Sequence, residues 1–576
     1  MTARALIVGL DGLDLGVVRA LGAARLPTLH ALMRRGAFAA LESVQPPATL
    51  PNWTTFLTGV DPGVHGVFDF TTRRGYGVRF TAGTVRAAPT LFARLDALGL
   101  RCACIGFPAT WPPERLERGI FVSGWDAPVA FEADRSFVWP PALYDAMRAR
   151  FGPPRFDALD QAAADRPGWL DALPDALVQQ VAQKTELAEW LLDADRWDAF
   201  AFYFGESDTA SHYLWSAHDP RSPRRPEGIA PATQDGLARV YAALDEAVRR
   251  LVERAGGDAV EVTLLSDHGS GGASDRVVYL NRALADAGLL RFHRRGGRAR
   301  AVAALKHRAL RHLPPRVRER VFRLGGTALP SWLESQARFG AIDMDRTAAF
   351  SEELNYFPSV CLNLRGREPR GTVAPADAPA VLRDVEAALR ALRDPFDGEP
   401  VVADVWRREE LFEGPLVERA PDLFLELRAP DGYTYNLMPS GGAPAGTGPF
   451  RKLGAEECLG RKGRSLPGSH RPRGFFCAAG PRVAAVGEID AHIADVSATL
   501  LERLGVAPPT DARGRVCFEL LAAATGSDRA EDDDGGPRPA RATLPGARPG
   551  TEASVASARA DESRVEARLR ALGYID

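Results

Sequence analysis

The sequence has few cysteines, and none of them has the spacing of a zinc knuckle or a redox pair. Six occur among 576 residues. Cys102 and Cys104 are one residue apart, so in a strand their side chains would point to the same side, into the core. Cys361 and Cys477 also lie in apolar runs. We therefore predict free, buried thiols in a reducing compartment.

A long apolar run is also missing. No segment approaches the ~20 apolar residues that a membrane-spanning helix needs. The first apolar stretch begins at Ala5 and is interrupted by Asp11 and Asp14, which predicts a strand and not a secretory signal. We therefore expect a cytoplasmic protein without a transmembrane segment.

The chain has no large excess of charge of one sign. Its net charge is -2, with a pI near 6.6, which gives no reason to expect a nucleic-acid polymer or an acidic membrane as partner. Residues 291–323 are the exception, with twelve Lys or Arg and a single acid, Glu319. We predict a basic helical insertion over residues 291–345. It would be either a solvated surface or an anion-attracting cap over an active site.

Apolar strand patterns alternate with amphipathic helices along the chain. Apolar residues follow i, i+3, i+4, i+7 spacing over residues 233–254 and nearly so over 16–35. This alternation predicts an α/β fold, with a mostly parallel central sheet flanked by helices on both faces. The candidate strands lie near residues 5–10, 102–107, 119–123, 199–204, 261–266, 359–364, 422–427 and 474–479.

The chain is too long for one compact core, so we expect two or three packed units. Residues 1–290 are predicted to form the first part of a catalytic core, and residues 346–520 the second. Within the first part, residues 126–190 are rich in Pro, Trp and Asp and could form a cap insertion. Residues 525–558 should be disordered. Residues 559–576 should form a helix that docks on the body or on a second subunit of a homodimer.

Candidate metal ligands follow two of the predicted strands. Asp267 and His268 come directly after an apolar run and are followed by glycines. Asp11 comes after the first strand, again before a glycine. Open α/β sheets bind their ligands at the carboxyl ends of the strands, so these side chains are predicted to meet at one edge. Taken alone, either could instead be a helix cap.

Three further candidate ligands strengthen this prediction. Asp208 and His212 are four residues apart, which places them on one face of a helix as a bidentate pair. His470 lies in a glycine-containing turn before another apolar run. Each has an ordinary alternative as a surface residue. Together the chain offers three Asp and three His, enough for two metal ions.

A threonine lies at the start of another predicted helix. Pro51 suits the first turn of that helix and Gly59 its end. Thr49 would then sit just before the helix, where the backbone N–H groups and the helix dipole favour an anion. Beside a metal, its hydroxyl could attack phosphorus. Without a metal, it would be only a helix cap.

Several short segments occur in a characteristic order between residue 5 and about residue 480. They are Gly9-Leu10-Asp11-Gly12, Thr49-Leu50-Pro51 through Pro62-Gly63-Val64-His65-Gly66, Glu206-Ser207-Asp208, Ser266-Asp267-His268-Gly269 and Gly468-Ser469-His470. In these segments the chain resembles the type I phosphodiesterase/nucleotide pyrophosphatase family of the alkaline phosphatase superfamily. Where it departs from the best-known members, as at Trp53-Thr54-Thr55 and Val67-Phe68-Asp69-Phe70, the chain looks more like the prokaryotic branch of that family.

The resemblance implies an alkaline-phosphatase-like fold with cap insertions, and a hydrolase of phosphodiester or pyrophosphate bonds. It also implies two divalent ions, zinc or else manganese or magnesium, and Thr49 as the nucleophile that forms a covalent phospho-threonine intermediate. The implied ligands are Asp208, His212 and His470 for one ion and Asp11, Asp267 and His268 for the other.

The resemblance says less about the substrate than about the chemistry. Ala48 precedes the threonine and Trp53 follows Asn52, where nucleotide pyrophosphatases of the family have Lys and His. We expect a small phosphoester substrate. His65 is expected to shape its loop and not to bind metal. Five residues could contact substrate, with structural pairing as the alternative: Asn52, Trp53, Asn281, Arg282 and Arg367.

Other activities on the same fold make different demands on the sequence. A phosphomonoesterase, or a phosphotransferase such as a cofactor-independent phosphoglycerate mutase, usually has a serine nucleophile and a different insertion pattern. A sulfatase needs Cys or Ser in a Cys/Ser-x-Pro-x-Arg setting, which none of the six cysteines has. A non-catalytic binding protein would lack a ligand or the nucleophile, whereas all seven candidates are present.

Overall fold

The computed structural model describes residues 2–81, 83–124, 135–152, 167–293, 335, 338–353, 357–444, 446–460 and 465–521. The predicted linker 525–558, the predicted C-terminal helix 559–576 and most of the predicted basic insertion 291–345 lie outside the described residues. Arg338, at the described end of that insertion, is buried and pairs with Glu352 at 3.0 Å.

The described residues form strands at every place where the sequence predicted one. The strands are β1 (Ala3–Leu10), β2 (Ala37–Glu42), β3 (Thr71–Arg74), β4 (Gly77–Phe80), β5 (Cys102–Ile105), β6 (Ile120–Val122), β7 (Val138–Trp139), β8 (Trp197–Phe204), β9 (Glu261–Leu265), β10 (Gly269–Val278), β11 (Ala349–Phe350), β12 (Ser359–Leu362), β13 (Val402–Arg407), β14 (Leu423–Leu427), β15 (Thr434–Leu437), β16 (Phe450–Lys452), β17 (Gly468–Arg471), β18 (Arg473–Ala479) and β19 (Gly487–Glu488).

The α-helices of the described residues lie mainly between these strands. They are α1 (Leu15–Arg25), α2 (Pro27–Arg35), α3 (Thr49–Thr58), α4 (Pro62–His65), α5 (Leu91–Ala97), α6 (Pro141–Phe151), α7 (Trp169–Asp193), α8 (Glu206–His218), α9 (Pro231–Gln234), α10 (Gly236–Ala255), α11 (Leu280–Asp286), α12 (Ala378–Ala391), α13 (Arg408–Leu411) and α14 (Ile493–Arg503). None of them is long and apolar enough to cross a membrane.

A nine-stranded sheet forms the centre of the molecule, in the order β19-β2-β18-β9-β1-β8-β5-β6-β7. The five strands β9, β1, β8, β5 and β6 are parallel neighbours. β18 runs antiparallel to both β9 and β2, and β7 runs antiparallel to β6. The sheet is therefore mostly parallel, as the sequence predicted.

Helices cover both faces of this sheet. Along β1, the side chains of Leu6 and Val8 enter one apolar core, formed with α1, α2, α7 and α10. Ala5 and Ile7 enter a second core, formed with α3, α5 and α14. Successive side chains of a strand point to opposite faces, so a strand this apolar requires two covered faces. The predicted α/β class is confirmed.

Cys102 and Cys104 of β5 both belong to the second of these cores. They are free and buried, as are Cys361 and Cys477. This agrees with the prediction made from their spacing and apolar surroundings.

A second, smaller sheet has the order β11-β12-β14-β13, and its neighbouring strands are antiparallel. Val385 and Leu389 of α12 and Leu284 of α11 pack on it in a core of its own. The predicted second core part 346–520 therefore divides in two. Residues 349–437 build most of the smaller unit, and residues 468–503 return to the central sheet.

The predicted cap insertion 126–190 has a different role where it is described. Its helical end is α7, and Leu177, Val181 and Leu187 of this helix belong to the main core. α7 packs against α10 on one face of the central sheet. This helix is therefore a layer of the core and not a cap.

Candidate metal centre

Three adjacent parallel strands end at the same edge of the central sheet and bring candidate ligands together. Asp11 follows β1, and Asp267 and His268 follow β9. β8 leads into α8, which carries Asp208 and His212 in its first two turns. Because β9, β1 and β8 are parallel neighbours, their carboxyl ends lie at one edge of the sheet, and the candidate ligands that follow them lie close together there.

His470 reaches this edge from a distant part of the sequence. It lies in β17, which pairs antiparallel with β10, so that His470 is opposite Ser270. After Pro472 the chain continues into β18, which runs back through the central sheet. A return strand beside β9 therefore brings the sixth candidate ligand to the edge where the others lie.

Asp208, His212 and His470 form one compact group, and all three are buried. Asp208 Oδ1 is 3.0 Å from His212 Nε2 and 3.5 Å from His470 Nε2. The two Nε2 atoms are 3.1 Å apart. Their ligand atoms lie within 4.8 Å of one another, close enough for all three to contact one ion.

A second buried group consists of Asp11, His268 and again Asp208. His268 Nε2 is 3.4 Å from Asp11 Oδ1 and 3.3 Å from Asp267 Oδ2. Asp267 thus joins the group through His268. Asp208 belongs to both groups, although the family resemblance implied only the first for it.

The three histidines present the same ring nitrogen to the centre. Their Nδ1 atoms lie 2.9–3.0 Å from main-chain carbonyl oxygens, which can only accept a hydrogen bond, so Nδ1 carries the proton. Burial lowers the pKa of His268 and His470, so these rings are neutral at pH 7. In these two rings Nε2 is therefore the lone-pair atom, as a metal ligand requires. The carbonyl partners are Gly468 for His212, Gly269 for His268 and Pro47 for His470.

Two of the carboxylates are each held by one oxygen. Asp11 Oδ2 accepts hydrogen bonds from Trp53 Nε1, at 3.0 Å, and from the Tyr203 hydroxyl. Asp267 Oδ1 accepts one from the Gly12 N–H at 3.2 Å. Asp11 Oδ1 and Asp267 Oδ2 are buried and find no N–H or hydroxyl donor within the described part of the chain, although the two carboxyl groups lie within hydrogen-bonding reach of each other. Burial first, and neighbouring carboxylates second, raise the pKa of both groups.

These contacts fit a divalent cation. Asp11 Oδ1 and Asp267 Oδ2 lie within 3.4 Å of His268 Nε2, which is itself a lone-pair atom because the proton of that imidazole is on Nδ1. Such atoms repel one another in a buried site unless a positive charge lies between them. Carboxylate oxygens and imidazole nitrogens are suitable ligands for this charge.

Thr49 is the first residue of α3, and Ala48 is the helix cap. The Thr49 hydroxyl therefore does not cap the helix, which was the alternative role that the sequence left open for it. Thr49 Oγ1 lies 3.4 Å from His268 Nε2 and is nearly buried. The positive end of the α3 dipole lies at this residue, beside the second group of ligand atoms.

Two of the predicted substrate contacts are fully buried and bonded within the protein. Asn52 accepts a hydrogen bond from the Val44 N–H at 2.7 Å and donates to the carbonyl of Ala48 at 2.9 Å, which fixes the loop before α3. Trp53 donates to Asp11. Both side chains lie beneath the candidate ligands and hold Asp11 and the loop before α3 in place, and a direct contact of either with substrate stays a prediction.

The other three predicted contacts also have protein partners. The side chain of Asn281 pairs with both main-chain groups of Ser351, at 2.7 and 2.8 Å. Arg367 donates to the Asp422 carboxylate, at 2.6 and 2.8 Å. Arg282 donates to the carbonyl of Thr447. These contacts are those of structural pairing. A role in substrate binding for the three residues stays a prediction.

His65 lies in the loop that its sequence context indicated. Its Nδ1 accepts a hydrogen bond from the Val67 N–H at 3.1 Å, and its Nε2 lies 3.0 Å from Thr55 Oγ1. Burial lowers its pKa to about 3, so the ring is neutral at pH 7. Both ring nitrogens are engaged in holding the loop after α3.

Several residues around the centre were not predicted from the sequence. The sequence places Tyr203 in the apolar strand near 199–204 and gives no sign of its contact with Asp11. Ser207 donates to the carbonyl of Asp11 at 2.6 Å, and Ser270 to that of Gly12 at 2.7 Å. The ring centroid of Phe357 is 6.4 Å from that of His470. The only available signal was that the two serines lie beside candidate ligands in the sequence.

Solved structures similar to this chain include murine and human ectonucleotide pyrophosphatase/phosphodiesterase 5. The murine protein is 12% identical with a TM-score of 0.45, and the human protein is 11% identical with a TM-score of 0.46. Another structure is an inactive variant of the murine protein in complex with AMP, with 12% identity and a TM-score of 0.45. In each case 90% of this chain and 100% of the other are covered.

No curated protein matches the chain significantly. Its sequence does match a protein family, over residues 5–446. This span includes five of the six candidate ligands and Thr49, and it ends before His470. By this match, the chain belongs to the type I phosphodiesterase/nucleotide pyrophosphatase family.

Proposed function

We propose that the protein hydrolyses phosphodiester or pyrophosphate bonds of a small substrate, with Thr49 as nucleophile and two divalent ions. The observation that carries this proposal is the arrangement around Asp208. Two groups of buried ligand atoms share this residue, and the Thr49 hydroxyl lies 3.4 Å from a histidine of one group. Family membership supports the hydrolase class.

The residues that would hold the ions are those of the two groups, together with Asp267. Three imidazoles among the ligands favour zinc over magnesium, which prefers oxygen ligands and retains water. Manganese is a further candidate. Bound divalent ions would lower the pKa of the attacking hydroxyl and offset the charge of the phosphoryl oxygens.

Thr49 would carry the phosphoryl group between two substitutions. In the first, Oγ1 bonds to phosphorus, the bond from phosphorus to the leaving oxygen breaks, and the hydroxyl proton ends on that oxygen. In the second, water attacks the phospho-threonine, the bond to Oγ1 breaks, and the hydroxyl is restored. The amino end of α3 favours the anionic phosphoryl group in both.

A comparison of three chromogenic esters tests this reaction class. Bis(p-nitrophenyl) phosphate, p-nitrophenyl phosphate and p-nitrophenyl sulfate share one leaving group, so differences in kcat/KM report the preference for the esterified acid. We expect the diester to be the best substrate. A preference for the monoester or the sulfate would overturn the proposed class. Bound metal without any turnover would indicate a binding protein.

Thr49→Ala tests the nucleophile. It should lower kcat roughly a thousandfold or more while metal content stays near that of the wild type, because only the attacking oxygen is removed. Thr58→Ala is the matched control in the same helix, since the Thr58 hydroxyl donates to the carbonyl of Thr54 at 2.7 Å. Unchanged turnover in Thr49→Ala would exclude this residue as the nucleophile.

A further inference from the structure

Asp11 is hydrogen-bonded to the surrounding elements at its N–H, its carbonyl oxygen and Oδ2. Its N–H donates to the carbonyl of Phe204 at 2.9 Å, and its own carbonyl accepts from the Ser207 hydroxyl at 2.6 Å. Its Oδ2 accepts from both Trp53 and Tyr203. Oδ1 remains, buried and 3.4 Å from His268 Nε2. The carboxylate therefore has one oxygen fixed by the protein and one directed at the candidate centre.

The two donors reach Asp11 from different elements. Tyr203 belongs to β8, the neighbour of β1 in the central sheet, and pairs with Gly9 in register. Trp53 belongs to α3 and follows Thr49 by four residues, so both lie on the same face of that helix. The indole N–H thus connects the helix of the proposed nucleophile to a proposed metal ligand.

Ring packing sets the direction of both donors. The Trp53 and Tyr203 rings meet edge to face, with centroids 5.5 Å apart. Phe107 packs against Trp53 at 5.3 Å, and Phe56 at 6.1 Å. Trp53 is completely buried. A ring enclosed in this way cannot turn its N–H elsewhere without breaking the packing, so the geometry at Oδ2 is rigid.

We infer that Trp53 and Tyr203 are positioning residues that clamp Asp11 Oδ2, so that the carboxylate offers only Oδ1 to a divalent ion. We call this pair the Asp11 clamp. The inference rests on the proposed function because it takes Asp11 as a ligand of one of the proposed ions. It goes beyond that proposal by assigning the tryptophan and the tyrosine to metal retention and to the placement of Thr49.

Two donors on one oxygen restrict the carboxylate in a way that one donor does not. Rotation about the Cβ–Cγ bond would break both hydrogen bonds together, so Oδ1 keeps its direction before an ion binds. Hydrogen-bonded partners of ligating groups typically contribute 10–100-fold to metal affinity. Trp53 adds a second effect, since its loss would also free α3 to shift relative to Asp11.

Two variants that each remove one donor, together with a packing control, separate the clamp from the packing. Tyr203→Phe removes only the hydroxyl. Trp53→Phe removes the indole N–H but retains an aromatic ring. Phe56→Leu is the matched control, because it disturbs the same ring cluster without touching Asp11. Zinc affinity is measured on each purified, full-length protein by competition with a chromogenic chelator, after urea denaturation has shown that the protein is folded.

We expect Tyr203→Phe and Trp53→Phe each to weaken binding of one zinc ion, the one that Asp11 would hold, about tenfold. Phe56→Leu should be less stable than the wild type but should bind zinc within about twofold of it, since no hydrogen bond to the ligand changes. If the two clamp residues had a purely structural role, all three variants would be less stable than the wild type and all three would keep its zinc affinity.

Turnover at saturating zinc distinguishes the two donors. Once the ion is bound, Tyr203→Phe should recover kcat to near the wild-type value. Trp53→Phe should remain roughly tenfold or more below it, with KM little changed, because the nucleophile on α3 is displaced from the reacting phosphorus. If kcat recovered equally in both variants, the result would contradict the role of Trp53 in placing Thr49.

The zinc titration and the ester assay can fail separately. If the variants lose zinc affinity but the wild type hydrolyses no ester, the clamp stands and the proposed hydrolase falls. If the wild type hydrolyses the diester and both variants bind zinc as tightly as it does, the clamp falls and the proposed function stands.

Discussion

Asp208 is the residue on which both proposed ions depend. Its carboxylate belongs to both groups of ligand atoms and lies close to His212 and His470. Asp267, in contrast, pairs with His268, which belongs to the second group. We therefore expect Asp208→Asn to bind less than one zinc ion per chain and Asp267→Asn to retain about one, because an amide is a much weaker ligand than a carboxylate. Elemental analysis of dialysed protein measures both.

Asp14→Asn is the control for those variants. Asp14 lies close to the same loops and accepts hydrogen bonds from the N–H groups of Val17 and Ser270, but it belongs to neither ligand group. Asparagine is as good a helix cap as aspartate, so its amide oxygen should keep the bond to Val17 while the longer bond to Ser270 is lost, and two ions should remain. Equal zinc content in Asp208→Asn and Asp14→Asn would show that Asp208 is not a shared ligand.

His65 gives the protein a predictable pH dependence. Burial lowers its pKa in the folded state to about 3, against about 6.5 in an unfolded chain. Below pH 6.5 the unfolded chain therefore binds a proton that the folded chain does not, and stability falls with falling pH through this window. Between pH 7 and pH 5, the contribution of His65 is a loss of about 2 kcal/mol.

Urea denaturation of the wild type and of His65→Gln at both pH values measures this contribution. The variant should be less stable at pH 7, since it loses the contacts with Thr55 and Val67, but its stability should fall less between pH 7 and pH 5. His65→Asn serves as a second variant if the first does not fold. Parallel pH dependence in wild type and variant would contradict the prediction.

At the scale of elements, Arg224 anchors the segment that leads to β17. Its side chain is almost fully buried and donates to the carbonyl oxygens of Cys458, Ser465 and Leu466, at 2.6–2.9 Å. Burial lowers the pKa of its guanidinium to about 10. The acceptors come from both sides of residues 461–464, so one side chain organises the approach to His470.

We expect Arg224→Met to lower the free energy of unfolding by about 3 kcal/mol, because several buried carbonyl oxygens would lose their donors at once. Arg225→Met is the matched control. Arg225 donates to a single carbonyl, that of Ala217, from a half-buried position, and its replacement should cost less than about 1 kcal/mol. Denaturant titration measures both, and equal losses would contradict the anchoring role.

The elements themselves could largely be predicted from the sequence, because a strand or an amphipathic helix is encoded in neighbouring residues. The ends of β1, β8 and β9 could be predicted for the same reason, and with them the location of the ligands. The break between α1 and α2 could not, since the apolar spacing continues through it. Pro27 begins the second helix after Leu26, and a separate kink lies inside α1 at Gly22, which has a φ of 66°, so the backbone turns twice while the pattern persists.

The direction of a side chain within an apolar strand was harder to predict. Tyr203 and Phe202 look alike in the sequence, yet Phe202 enters the core formed with α7 and α10 while Tyr203 faces α3 and Asp11. The difference depends on which helices cover each face, and the strand does not encode this. The same reason explains why Trp53 was assigned to substrate and not to Asp11.

At the scale of the whole molecule, bound metal should stabilise the fold. The candidate ligands join β1, α8, β9 and β17 at one buried point, and without a cation their carboxylates repel one another. At a free zinc concentration a thousand times its dissociation constant, the expected gain is about 4 kcal/mol relative to the metal-free protein. Thermal denaturation after chelator treatment and zinc titration measures this gain.

Calcium is the control for that titration, because it prefers six to eight oxygen ligands and should not restore the melting temperature. A melting temperature that does not respond to zinc, in protein shown by elemental analysis to have lost and regained the metal, would contradict the prediction.

The pairing partners of the strands were the feature of the fold that could least be predicted from the sequence. The runs near 359–364 and 422–427 were predicted as strands, but nothing in them indicates that they pair in a separate antiparallel sheet. Nor does the run near 474–479 indicate that it lies between β2 and β9. Partner choice is decided by long-range packing, and a short apolar run is compatible with many partners.

The position of β18 has a consequence for synthesis on the ribosome. In the part of the chain that the structure describes, the strands next to β2 are β18 and β19, which are translated more than four hundred residues later. At 5–20 residues per second, this delay is roughly 20–90 seconds, during which both edges of β2 await their partners. His470 emerges immediately before β18, so the nascent chain completes its sheet and its last candidate ligand together.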